Sequence, residues 1–212
     1  MGRTIVAAAL LLAAGCADPP ADFSYATGDL SMVFPTVTES NKEVAVPISD
    51  LTFTRADGGE VRLDDLAAGK PVVLVITRGQ TDPICPACTT QTARLIKSYP
   101  DFVSAGAEVV VVYPKREESD GRVFEEFLGV VSARLSEPDV SVPFPIVFDV
   151  GLKAVRSLDI EMDLAKPTTI ILDADRNVRF AFVGESITQR PSVESMLQQV
   201  RKLTGSPEGE SA

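Results

Sequence analysis

The strongest signal along the chain is an unbroken apolar run, Pro71-Val72-Val73-Leu74-Val75-Ile76-Thr77. A strand with one wet face alternates apolar and polar residues, so a continuous β-branched run predicts a strand buried on both faces. Ala107 to Tyr113 (Ala-Glu-Val-Val-Val-Val-Tyr) predicts a second central strand. Between the two runs the period changes from two to the helical one. Leu95, Ile96, Tyr99, Phe102 and Val103 mark the apolar face of a helix of about five turns. It is expected to start near Cys85 or Pro86, because proline suits a first helical turn, and to stop at Gly106.

The same reading extends to both sides. Leu51 to Thr54, the turn Asp57-Gly58-Gly59 and Glu60 to Leu63 predict a hairpin. Val123, Phe124, Phe127, Leu128, Val131 and Leu135 predict an amphipathic helix over 119–135. A short strand at 145–148, a short helix at 151–158 and strands at 168–172 and 178–183 follow. A final helix at 191–203 buries Val193, Met196, Leu197, Val200 and Leu203. Strand–helix alternation ending in a hairpin and a helix predicts an α/β domain over 44–204. Its mixed central sheet has helices on both faces and an N-terminal hairpin extension. Residues 16–43, with Pro19-Pro20 and a short strand near Met32-Val33-Phe34, read as a tether, and 205–212 as a disordered tail.

At the N-terminus Arg3 precedes a short apolar run from Ile5 to Ala14. A bilayer-spanning helix needs about 20 residues, so this run reads as a cleavable export signal. Its end, Leu11-Leu12-Ala13-Ala14-Gly15-Cys16, resembles the lipobox of bacterial lipoproteins, with Ala13 where that pattern more often has Leu. The resemblance implies a signal peptide over 1–15 and a lipid on Cys16. With Ala17 and no aspartate next, it also implies retention on the periplasmic side of an outer membrane. An ordinary signal peptide cut near Ala17, or a buried helix, is the alternative. The formal charge of −10 argues against nucleic acid and against adhesion to anionic lipid, so membrane attachment is expected to be covalent.

Candidate chemistry rests on Cys85-Pro86-Ala87-Cys88. Two thiols three positions apart at a strand-to-helix junction can form a reversible disulfide. Outside the cytosol such a pair is oxidised unless a dedicated partner reduces it. The chain has three cysteines and no histidine. With Cys16 acylated, two thiols remain, and a zinc site needs about four N or S ligands. No metal and no cofactor are expected.

The order of elements, with CxxC after the first long buried strand, resembles the thioredoxin fold. Three stretches resemble its redoxin branch, the alkyl hydroperoxide reductase/thiol-specific antioxidant family. They are Leu51 to Val75 with Leu63-Asp64-Asp65-Leu66 and Gly69-Lys70-Pro71, then Phe144 to Asp149 followed by Ala154 and Leu158, and then Lys166-Pro167-Thr168-Thr169-Ile170-Ile171-Leu172-Asp173. The resemblance covers about Val44 to Leu203. It implies that Pro167 is cis and faces the dithiol, shaping a groove for a substrate strand.

There are departures. Reductases of this kind usually carry Trp before the first cysteine, where this chain has Ile84 and no Trp anywhere. Peroxiredoxins carry Pro-x-x-x-Thr-x-x-Cys, and counted back from Cys85 those positions hold Arg78 and Asp82. Arg78-Gly79, the CPAC run and Gln91 are nearer to peroxiredoxin-like proteins with an Arg-Gly…Cys-Pro-x-Cys motif.

A helix N-terminus lowers a thiol's pKa, which assigns Cys85 as nucleophile and Cys88 as the resolving thiol. Pro86 begins the helix without wasting a donor, and Arg78 is the candidate cation for the thiolate. The leading expectation is a lipid-anchored thiol–disulfide oxidoreductase exchanging with protein thiols or disulfides and a redox partner outside the cytosol. A thiol peroxidase and a non-catalytic binding module are the alternatives.

Overall fold

The computed structural model describes residues 29–67, 69–117, 121–138 and 140–206. The expected signal peptide, Cys16, the first part of the tether and most of the C-terminal tail lie outside them. The hairpin is present as β1 (Thr52–Thr54) and β2 (Glu60–Arg62), with Phe53 opposite Val61. A single helical turn, α1 (Leu63–Leu66), follows; Asp65 at its third position accepts the N–H of Arg62 at 3.1 Å. The two long apolar runs become β3 (Val72–Ile76) and β4 (Glu108–Lys115), and α2 (Pro86–Ser104) lies between them. Every residue of β3 is buried, as the unbroken pattern requires.

Next come α3 (Arg122–Leu135), β5 (Ile146–Val150) and α4 (Lys153–Ser157). A small hairpin of β6 (Glu161–Met162) and β7 (Leu164–Ala165) was not expected from sequence. Its strands are two residues long, too short for any periodicity to register. β8 (Thr168–Leu172), β9 (Val178–Val183) and α5 (Val193–Thr204) complete the domain.

Seven strands form one sheet in the order β2-β1-β5-β4-β3-β8-β9. β3, β4 and β5 run parallel, while β8 is antiparallel to β3, β9 to β8, and β1 to β5. Side chains of β3 sort by parity. Val72, Leu74 and Ile76 pack with α4 and the β1–β2 side, whereas Val73 and Val75 pack with Leu95 and Phe102 of α2 and Met196 and Val200 of α5. Both faces of the sheet are therefore covered, as in a thioredoxin-like redoxin fold.

The segment read as a tether departs from expectation in its described part. Residues 29–43 are laid against the domain. Asn41 pairs with the free edge of β9, donating its backbone N–H to Ala181 O and its side-chain amide to Val183 O. Ser192 donates its N–H to Pro35 O, and Ser195 Oγ accepts the N–H of Val37. Met32 to Phe34, expected as a short strand, belong to no strand. The apolar residues Leu30, Met32 and Phe34 fall at alternate positions, and these pack inward.

Candidate active site

The site sits where β3 ends and α2 begins. After Ile76 the chain turns through Gly79, whose φ of +100° and tight seat against β4 suit glycine alone. A Cβ there would lie 2.2 Å from Pro114 O. Gln80 then donates to Pro114 O at 2.8 Å, fixing the loop that leads to Cys85. Cys85 is the N-cap of α2, and its Sγ accepts the N–H of Cys88 at 3.3 Å. Pro86 occupies the first helical position, as expected, and its carbonyl accepts the Thr89 hydroxyl at 2.9 Å. Both cysteines are free thiols. Cys85 is 4% exposed and Cys88 fully buried.

The cation beside the pair is Arg190, which carries no local sequence signal. It lies 102 positions from Cys88, and its Nη2 donates to Cys88 Sγ at 3.5 Å. Its other donors are spent on Gln91 Oε1 at 2.6 Å and Ile187 O at 2.8 Å, so the guanidinium is held in one orientation. The loop that carries it is tight. Gly184 donates to Pro167 O, and a Cβ on Gly184 would lie 1.9 Å from Gln189 O. A buried guanidinium requires such partners, because an unpaired buried charge is costly.

These contacts decide where the negative charge of the reduced pair resides. The two thiols share a hydrogen bond. Burial opposes any thiolate at Cys88, but the Cys85 thiol, the Arg190 guanidinium and the backbone N–H of Arg78 all face its sulfur. Together they hold Cys88 below the ordinary thiol range. Cys85 is pushed up instead, first by the proton it shares with Cys88 and then by burial. The expectation that the helix N-terminus would lower Cys85 is thereby reversed. The N-cap contact exists, but one N–H does not outweigh the neighbouring charge and the loss of water.

Arg78 contributes differently from expectation as well. What it offers Cys88 is its backbone N–H, while its guanidinium lies against Asp163 at 3.8 Å. Pro167 is buried at the entrance to β8 and is not cis. Among the described residues the one cis peptide is Asp82–Pro83. The trans bond keeps the chain extended from β7 into β8, between the Ala165 N–H bonded to Arg78 O and the Pro167 carbonyl bonded to Gly184.

An aromatic wall backs the thiols. Tyr113, at the C-terminal half of β4, packs with Phe127 (5.0 Å between centroids), Phe124 (5.4 Å) and Phe148. Burial and the nearby thiols push the Tyr113 hydroxyl well above its usual range. From the opposite direction Phe34 joins the same apolar cluster as Cys85, Ala87 and Cys88. The arrangement is a dry dithiol with one fixed cation. Two thiols this close can interconvert with a disulfide.

Comparison with known proteins agrees with this architecture. Residues 43–181 match the AhpC/TSA family. Peroxiredoxin Q of Xanthomonas campestris superposes with a TM-score of 0.55 at 18% identity, covering 78% of this chain and 99% of that one. A mutant of peroxiredoxin 6 of Arenicola marina gives a TM-score of 0.63 at 17% identity, covering 77% and 74%. Peroxidoxin BcpB from Mycobacterium tuberculosis gives 0.53 at 19% identity, covering 77% and 94%. No curated protein matches the sequence significantly.

Proposed function

The chain belongs to the AhpC/TSA family and is a thiol oxidoreductase in the broad sense; from that premise we propose that it exchanges disulfides with protein partners outside the cytosol, held to a membrane through Cys16. The observation that carries the exchange reading is the pair itself, with Cys85 Sγ accepting the Cys88 N–H at 3.3 Å and Arg190 Nη2 standing 3.5 Å from Cys88 Sγ. The chain has no histidine to act as base, and the Cys88 thiolate takes that role. Cys85 is the cysteine nearer the surface and is therefore the one that meets a partner.

The proposed steps balance as follows. Cys85 passes its proton to Cys88 and attacks one sulfur of a partner disulfide, whose S–S bond breaks. The departing partner thiolate takes the proton from Cys88. Arg190 steadies the Cys88 thiolate, which attacks Cys85 Sγ and releases the second partner sulfur to be protonated by solvent. The partner gains two electrons and the Cys85–Cys88 pair becomes a disulfide. Run backwards, the same steps oxidise a partner dithiol.

The test is trapping. Cys88→Ser should accumulate mixed disulfides on Cys85, and Cys85→Ser should accumulate none. Insulin disulfides should be reduced by the wild-type dithiol. An unreactive Cys88→Ser protein with intact insulin would contradict the proposal.

One observation favours a second reading, thiol peroxidase. Cys85 is 4% exposed, which suits a small oxidant better than a protein. In that case Cys85 attacks a hydroperoxide, the O–O bond breaks, Cys85 becomes sulfenic acid and the departing oxygen leaves as an alcohol or water after taking a proton. Cys88 then closes the disulfide with loss of water. Peroxide consumption lost in Cys85→Ser, with sulfenic acid trapped in Cys88→Ser, would favour this reading over exchange.

A further inference from the structure

A segment of the chain itself packs into the apolar cluster of the dithiol. Residues 29–35 cross the start of α2 with Leu30, Met32 and Phe34 turned inward, while Val33 is 83% exposed. The segment is gripped through its backbone as well as its side chains. Arg94 Nη2 donates to the carbonyls of Leu30 (2.6 Å) and Met32, and Arg134 Nη1 to that of Asp29 at 2.9 Å. Pro35 O receives the Ser192 N–H.

Phe34 is the anchor. Its ring centroid lies 5.0 Å from the Arg94 guanidinium and 6.0 Å from that of Arg190, the group bonded to Cys88. A cleft of about 510 Å³ continues beyond Leu30 along Arg134 and Leu135. The carbonyls of the segment are thus held by arginines and its alternate apolar side chains by one apolar cluster. That is how an extended segment of any sequence with the same alternation is recognised.

Phe34 shares a buried cluster with Cys85, which is 4% exposed while the segment is seated. We propose that residues 29–35 are an intramolecular stand-in for the partner. When the segment lifts, the groove accepts an extended partner segment with apolar side chains at i, i+2 and i+4 across the dithiol. The partner class rests on the disulfide-exchange reading of the site. Access and occupancy of the groove do not, because neither requires turnover.

Full-length reduced protein provides the test. Alkylation of Cys85 by iodoacetamide, assigned by mass spectrometry, follows the population of the open form. Phe34→Ala should raise that rate by about tenfold or more, since the rate of a gated thiol tracks opening. Arg94→Gln releases two carbonyls and the cation on the Phe34 ring but keeps every apolar side chain of the segment, so it should raise the rate by a smaller factor. Val33→Ala, which alters only the outward face, should match wild type.

A fluorescein-labelled synthetic peptide of residues 29–37 should bind Phe34→Ala protein by anisotropy and slow its alkylation. A peptide of the same composition with the alternation scrambled should not. Rates equal to wild type in both Phe34→Ala and Arg94→Gln would overturn the gate. A faster Phe34→Ala rate with no binding of the 29–37 peptide would overturn the peptide site. Neither result depends on whether the protein reduces disulfides or peroxides.

Discussion

Arg190 Nη2 stands 3.5 Å from Cys88 Sγ, and its charge adds to the Cys85 hydrogen bond in holding Cys88 below the ordinary thiol range. Replacing Arg190 by Met removes that guanidinium from a dry site. The ultraviolet thiolate absorbance of the reduced protein should then appear about 1–3 pH units higher than in wild type. An unmoved titration would show that Arg190 serves packing alone.

The same contact links stability to pH. Cys88 is held below the ordinary thiol value of about 8.5, so the unfolded chain binds more protons there. Its contribution is full above the unfolded value and is lost as pH falls through the native one. Cys85, pushed up, works in the opposite sense above about 8.5. The difference in thermal midpoint between reduced wild type and Cys88→Ala should grow as pH rises toward about 8.5. A difference independent of pH in thermal scans would contradict the charge assignment.

Gly184 tests the support of Arg190 from a distance. A Cβ on Gly184 would lie 1.9 Å from Gln189 O, so Gly184→Ala must shift the loop. Forced overpacking of this kind costs about 1–3 kcal/mol. Denaturant unfolding should show that loss, and the thiolate titration should move in the same direction as in Arg190→Met.

Asp149 holds the far side of the sheet together. It is 1% exposed, and its two carboxylate oxygens accept the N–H groups of Ala154 (3.0 Å) and Val155 (2.9 Å) at the start of α4. Asp149→Ala leaves both donors without a partner and should cost about 2 kcal/mol, at the upper end for a lost helix cap. Chemical denaturation measures the loss, and the rate of Cys85 alkylation should stay near wild type.

What the sequence disclosed follows from physics that acts locally. The apolar run from Val72 to Ile76 declares a doubly buried strand, and Cys85-Pro86-Ala87-Cys88 declares a helix start with two thiols in reach. Arg190 was not legible, because a loop arginine becomes a ligand of Cys88 only when α5 and α2 pack together. The lowered pKa was assigned to Cys85 on the helix terminus, a local effect. Burial and the Cys88 charge act through the tertiary structure and prevail. Proline and polar content make 16–43 look like a tether, yet Leu30, Met32 and Phe34 fall at alternate positions and pack into the domain. The cis state expected at Pro167 came from resemblance, and this chain keeps that bond trans.

The central claim is that Cys85 and Cys88 form one reversible two-electron couple. Equilibration of the full-length protein in glutathione buffers, followed by acid quenching and mass analysis of both thiols, tests it directly. The account predicts a single transition in which both thiols are lost together, with a midpoint between about −270 and −120 mV, the range of dithiol proteins of this kind. Thiols that stay reduced at every ratio, or glutathione retained on Cys85 without closure to Cys88, would contradict it.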